Sequence, residues 1–326
     1  MVGMPFFGYH MPSFTFPGVP PDGLMDHVAG LARSAESAGF ELVTVMDHFY
    51  QITPIGPEEQ PMLEAYTTLG ALARETSRVR LGTLVTGVTY RNPALVAKMV
   101  TTLDVLSKGR AICGIGAAWN ESEHIGYGFE FPPMRERMDR LDEALTILKR
   151  MFTQERPSFT GMHYRIDRAL NNPRPLQSGG PKILVGGGGE KRTLRLVARH
   201  ADMSHWFGPL EDIKRKGEIL DRYCEEEGRD PATITRTMGA PVVLVENEGQ
   251  VKMVMERMPP ERRAMFQPAT PDRAAEILQG FIAAGIQGFT FNNATLQTPD
   301  EFERAGRLLR MLEPTKQSSR RSAPVS

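Results

Sequence analysis

The chain has 326 residues, 40% hydrophobic and 24% charged, an ordinary globular composition with enough apolar content for a sizeable core. Lys plus Arg and Asp plus Glu balance at 39 each, so no global field draws in nucleic acid or an anionic membrane surface. Cys113 and Cys224 have no CxxC partner, residues 1–20 lack a basic segment followed by an apolar core, and no apolar stretch nears roughly 18 residues, so the expectation is a cytoplasmic protein without signal peptide or membrane span.

Strand followed by helix is the repeating order. Strands are predicted over 6–11, 41–46, 79–86, 111–115, 181–185, 202–206, 240–245 and 288–291. Several are continuous apolar runs such as Leu42-Val43-Thr44-Val45-Met46, the mark of strands buried on both faces of a parallel sheet. Between them, apolar residues recur at helical spacing: Leu24, Val28, Leu31, Ala35 and Ala38, with Gly39 as C-cap; Met62, Tyr66, Leu69 and Ala73; Leu95, Met99, Leu103 and Leu106; Met138, Leu141, Leu145, Leu148 and Phe152. Thr270-Pro271-Asp272 reads as a hydroxyl N-cap, a proline in the first turn and an acid after it. Eight such units predict a (β/α)8 TIM barrel with long insertion loops, an α/β fold, rather than a doubly wound sheet. Residues 1–313 read as one domain and the polar tail 314–326 as disordered. The long stretches 153–180 and 246–269 read as lids, binding segments or disorder.

The most informative stretch is Ile183-Leu184-Val185 running into Gly186-Gly187-Gly188-Gly189 and then Glu190-Lys191-Arg192-Thr193. Glycines present no Cβ to an anion, and their N–H groups, with those of the next helix turn, can converge on a phosphate that Arg192 could clamp. A plain flexible βα loop is the competing reading. The spacing fits neither a P-loop nor a Rossmann fingerprint, so a monophosphate such as a flavin's, or a sugar phosphate, suits it better than a dinucleotide.

In a TIM barrel the active site lies at the C-terminal strand ends. Those ends here carry His10, Asp47-His48-Phe49, Thr86-Gly87, Gly116, Trp119-Asn120, the glycine run, His205-Trp206 and Asn292-Asn293. His48 could exchange a proton near neutral pH, or simply cap its strand. No HxH or HExxH spacing suggests a metal, and no nucleophile motif is present.

Val45-Met46-Asp47-His48-Phe49, Arg80-Leu81-Gly82-Thr83-Leu84-Val85-Thr86, Arg91-Asn92-Pro93-Ala94, Leu103-Asp104-Val105-Leu106-Ser107-Lys108-Gly109-Arg110 and Gly114-Ile115-Gly116-Ala117-Ala118-Trp119-Asn120-Glu121-Ser122-Glu123, in this order and with the glycine run, resemble the bacterial luciferase-like family over roughly residues 5–312. The resemblance implies a TIM barrel that binds reduced FMN or the deazaflavin F420, and the Asp47-His48-Phe49 and Gly116-Ala117-Ala118-Trp119-Asn120 versions look most like the F420-dependent branch. It implies that Asp47 and Asn120 contact the deazaflavin, that Gly186, Gly187, Gly188 and Gly189 hold its phosphate, and that His48 stands near the reacting carbon. It also implies a non-proline cis peptide near Leu84-Val85, backing the ring beside Thr86. The sequence departs from the branch's glucose-6-phosphate dehydrogenases, whose glutamate and tryptophan are replaced by Ala118 or Trp119 and by Ile52, which puts a sugar-phosphate substrate in doubt. The expectation is an F420-dependent oxidoreductase acting on a small molecule, with an FMN-dependent monooxygenase as the alternative. His10, Phe14, Tyr50, Trp206 and the two long stretches would select the substrate, and a homodimer is left open.

Overall fold

A computed structural model of the protein describes residues 5–258, 260–263 and 265–313. Eight parallel strands close into a barrel: β1 (Phe6–Met11), β2 (Leu42–Val45), β3 (Arg80–Thr83), β4 (Ala111–Gly116), β5 (Lys182–Gly186), β6 (Met203–Trp206), β7 (Thr235–Gly239) and β8 (Gly288–Asn292). Closure is explicit in the register, since Gly8 of β1 pairs with Leu42 of β2 on one side and with Thr290 of β8 on the other. This is the TIM barrel that the strand–helix repeat predicts.

Alternation along each strand sorts the apolar residues into two cores. Phe7, Tyr9, Val43, Val45, Cys113, Ile115, Ile183, Val185, Met238, Phe289 and Phe291 join the large core between sheet and helices. Phe6, Leu42, Ile112, Leu184 and Met203 form a separate cluster inside the barrel. On this inward face the next residues toward the C-terminal ends are His10, Thr44 and His205, where the lumen turns polar.

Three expectations are corrected. Strand seven is Thr235–Gly239; the apolar run predicted at 240–245 instead places Val242–Leu244 in a two-stranded sheet with Gln267–Ala269, outside the barrel. The lumen end of β7 needs Thr237 for a hydrogen bond, so the true strand is the more polar one. In helix Pro93–Leu106 the buried face carries Val96, Ala97, Val100 and Leu103, while Leu95 and Leu106 are exposed; a helix that is apolar nearly all round gives no register to its stripe. Thr270 precedes helix Pro271–Ala283 as expected, but its side chain makes no cap hydrogen bond.

The long stretches carry structure of their own: a hairpin of Phe159–Thr160 with Arg165–Ile166 in the first, and helices Glu248–Arg257 and Pro260–Arg263 in the second. Among the described residues no helix is long and apolar enough to cross a membrane. The tail 314–326 lies outside the described residues.

Candidate active site

The C-terminal end of the barrel gathers two kinds of wall. The first is built from backbone. The peptide Leu84-Val85 is cis, as the resemblance implied, and it interrupts the third strand, which resumes at Thr86–Gly87 beside Ile115 and Gly116. Val85 then leans across the strand ends: a Cβ on Gly116 or on Gly186 would come within 2.9 Å of its methyl groups. Glycine at both positions therefore lets an apolar shelf form at the mouth.

Beyond Gly186 the chain runs through Gly187, with φ +110, to helix Thr193–His200. A Cβ on Gly188 would stand 2.8 Å from Cε and 3.3 Å from Nζ of Lys216, whose ammonium also donates to the Phe207 carbonyl at 3.2 Å. Lys216 is thus the cation that overlooks the loop, and the sequence reading missed it, because a lysine on a charged helix looks like any solvated one. Arg192 is turned elsewhere: its guanidinium donates to Asp139 at 2.5 Å and to the Arg135 carbonyl at 3.1 Å.

The second wall is built from side chains. His48, just after β2, donates Nδ1–H to Glu123 Oε1 at 2.6 Å, a carboxylate with a fully buried side chain. Glu123 also accepts from the Phe49 N–H at 2.6 Å, the Tyr50 N–H at 3.3 Å and the Tyr90 hydroxyl at 2.5 Å. Burial pushes the Glu123 carboxyl up, but its hydrogen bonds from His48, Tyr90 and Phe49 outweigh that and hold it below its ordinary value. An ionised carboxylate only accepts, so His48 carries its proton on Nδ1 and leaves Nε2 as the exchanging atom. The Trp119 indole packs edge-on against the imidazole, with ring centres 5.6 Å apart.

Asp47 is held within the chain. Arg91 grips both its oxygens, at 2.6 and 3.1 Å, and also donates to Glu64 at 2.8 Å. Burial pushes the Asp47 carboxyl up, and Arg91 opposes that rise. The buried carboxylate and its guanidinium thus brace the strand end that carries His48. Thr86 joins this layer through hydrogen bonds with Tyr66 at 2.9 Å and Thr83 at 3.0 Å. Asn120 caps helix Glu121–Tyr127 without a side-chain cap bond, its amide oxygen accepting from the Ser122 hydroxyl at 3.2 Å.

Of the residues expected to face substrate, His10 points into the lumen, with Nδ1 2.9 Å from the Thr44 hydroxyl. Burial drives its pKa down to about 4, and the nearby His48 adds to that effect. Tyr50 packs on Tyr127, ring centres 5.6 Å apart, at the rim. Trp206 is not among them: it is fully buried in the core between sheet and helices, because it alternates with His205, which takes the lumen side. Phe14 is likewise buried in that core.

Glu123 is the main residue the sequence left unassigned. Glu121, Ser122 and Glu123 open a short helix, where acids normally face solvent and favour the helix dipole. Nothing in the string marks Glu123, rather than Glu121, as the one turned inward.

Comparison with known proteins adds the following. The family model described as luciferase-like monooxygenase matches residues 6–311. An uncharacterized protein of Mycobacterium tuberculosis is 33% identical over 219 residues, 62% of this chain and 75% of that protein. The F420-dependent glucose-6-phosphate dehydrogenase of Intrasporangium calvum is 38% identical over 187 residues, 56% of this chain and 52% of the relative, so the match spans about half of that enzyme. A solved F420-dependent secondary alcohol dehydrogenase, in complex with an F420-acetone adduct, superposes with a TM-score of 0.78 at 19% identity, covering 96% of this chain and all of that one; at that identity the likeness shows the fold alone.

Proposed function

This chain belongs to the luciferase-like monooxygenase family, and from that premise we propose that it is an oxidoreductase using the deazaflavin F420, exchanging a hydride with an organic small molecule. The observation that carries the proposal is the His48–Glu123 pair at the same end of the barrel as a backbone-lined cradle under Lys216. The residues fit such a cofactor. The space over Gly188 that a Cβ would narrow, the loop N–H groups and the Lys216 ammonium suit a phosphate, while the Val85 shelf suits a flat ring. F420-dependent relatives at 38% and 32% identity support the choice of cofactor.

When bound, the deazaflavin supplies the hydride chemistry. The chain's part is proton transfer and positioning. Glu123 fixes the imidazole so that Nε2 gives or takes a proton at the substrate atom next to the reacting carbon. The Asp47–Arg91 pair holds the strand end that carries the histidine, and Asn120, at the start of the helix after β4, would contact the deazaflavin. The relative's sugar-phosphate substrate is not carried over, because Ala118 or Trp119 and Ile52 stand where the resemblance expects the glutamate and tryptophan of those dehydrogenases.

Titration of the purified chain with F420 and FMN, each oxidised and reduced, tests this reading. F420 is expected to bind at least about tenfold more tightly than FMN, a difference of roughly 1.4 kcal/mol. Tighter binding of reduced FMN, with O2 consumed in the presence of substrate, would replace it by the monooxygenase reading.

A further inference from the structure

We propose that the lumen floor between His10 and His205 is a binding subsite for a hydroxyl group of the substrate, distinct from the carbon that His48 serves. The inference rests on reading the barrel mouth as the substrate site.

The Thr237 hydroxyl donates to the Ser204 carbonyl at 2.7 Å, which uses its only hydrogen. Its contact with His205 Nδ1 at 2.9 Å must therefore run the other way, with the imidazole donating. His205 is 2% exposed, and its Nε2 has no hydrogen-bond partner among the described residues. Since Nδ1 carries the proton of the neutral ring, Nε2 presents a bare lone pair in a buried site. Buried acceptors are almost always paired, so an unpaired one is an opening for a donor from outside the chain.

The surroundings select the kind of donor. The inward apolar layer below consists of Phe6, Leu42, Ile112, Leu184 and Met203. Phe207, 61% exposed, packs edge-on against His205 with ring centres 5.0 Å apart and fills the space above Gly239. His10, half-buried on β1, already has Nδ1 on Thr44. Among the described residues no carboxylate contacts either imidazole, so a cationic donor would find no countercharge from them, whereas a neutral O–H on an apolar frame fits. His48, with its own carboxylate, remains the group that moves protons. His205 is a positioning residue.

The test needs no cofactor, so its failure and the failure of the F420 reading are distinguishable. Crystals of the full chain are soaked in 2-propanol and, separately, in 2-methoxypropane, which lacks the donor. The alcohol oxygen is expected within hydrogen-bond distance of His205 Nε2, with no ordered ether there. In solution the alcohol should bind roughly tenfold more tightly than the ether, the worth of about one hydrogen bond. His205→Leu should abolish that preference without lowering the melting temperature, and His205→Gln, which keeps an acceptor, should restore part of it. A water held at Nε2 through both soaks, with no preference in solution, would make this a hydration site and overturn the substrate subsite. An empty Nε2 in both soaks, or a preference that survives in His205→Leu, would overturn it as well.

Discussion

The two walls of the barrel mouth are built from different parts of the chain's chemistry. On the β4–β5 side, Gly116, Gly186 and the loop to Gly189 present backbone, with Val85 laid over it. After β2, β3 and β4, the side chains of His48, Asp47, Tyr90, Arg91 and Glu123 form a network in which Glu123 is held by several donors and Asp47 by both arms of Arg91. Backbone N–H groups cannot titrate, so the first wall offers an invariant surface for holding a large ligand. Side chains can titrate, so the second can be tuned for proton transfer by what surrounds it. The division predicts that damage to one wall should appear in binding and damage to the other in turnover.

The largest expected effect lies on the side-chain wall. His48→Ala should bind F420 nearly as well as wild type but slow single-turnover reaction about 10²- to 10⁴-fold, once a substrate is in hand. Glu123→Gln should slow the reaction less, because an amide can still touch Nδ1 but no longer fixes which ring nitrogen carries the proton. A wild-type rate in His48→Ala would reduce the histidine to a strand-end brace and make His10 the next candidate.

A smaller effect belongs to the backbone wall. The three atoms nearest a Cβ on Gly188 all belong to the flexible Lys216 side chain, so in Gly188→Val folding should survive while cofactor affinity falls, by roughly tenfold or more, as the phosphate's space is taken. Lys216→Met should cost about tenfold and also flatten the salt dependence of binding. Unchanged affinity in both variants would remove this wall from cofactor binding and dissolve the comparison.

The smallest effect sharpens the line between the walls and the lumen beneath them. Burial lowers the His10 pKa from 6.5 to about 4 and that of His205 from 6.5 to about 3. Between those values the unfolded chain binds protons that the folded chain refuses. Buried neutral, these histidines cost the fold nothing above about pH 6.5, and they destabilise it as pH falls toward 4 and then 3, by up to about 1.4 kcal/mol per pH unit for each. Urea unfolding across this range should show a shallower acid slope in His205→Leu than in wild type. Equal slopes would mean that His205 titrates as an ordinary exposed histidine.

The legibility of the two walls differed as their construction does. A cradle made of backbone needs glycines, and Gly186 to Gly189 announce themselves as a string. His48 and Asp47 could be found because strand two ends abruptly in a polar pair after a largely apolar run. Glu123, Tyr90 and Lys216 carried no such sign, since each sits in a segment whose local pattern is also that of an ordinary surface helix or loop.

By itself the sequence determined the closed strand–helix repeat, the positions of seven of the eight strands and the ends at which chemistry would gather, because alternation and helical period are local properties of the string. Only the tertiary structure decided the rest. It set the true seventh strand by the need for Thr237 inside the lumen, sent Trp206 to the shell and His205 to the interior by strand phase, and turned Arg192 toward Asp139. It also brought Glu123 to His48 across 75 residues of chain. Those outcomes depend on which groups meet after the barrel closes, and a partner that is distant in sequence leaves no mark on the residues around it.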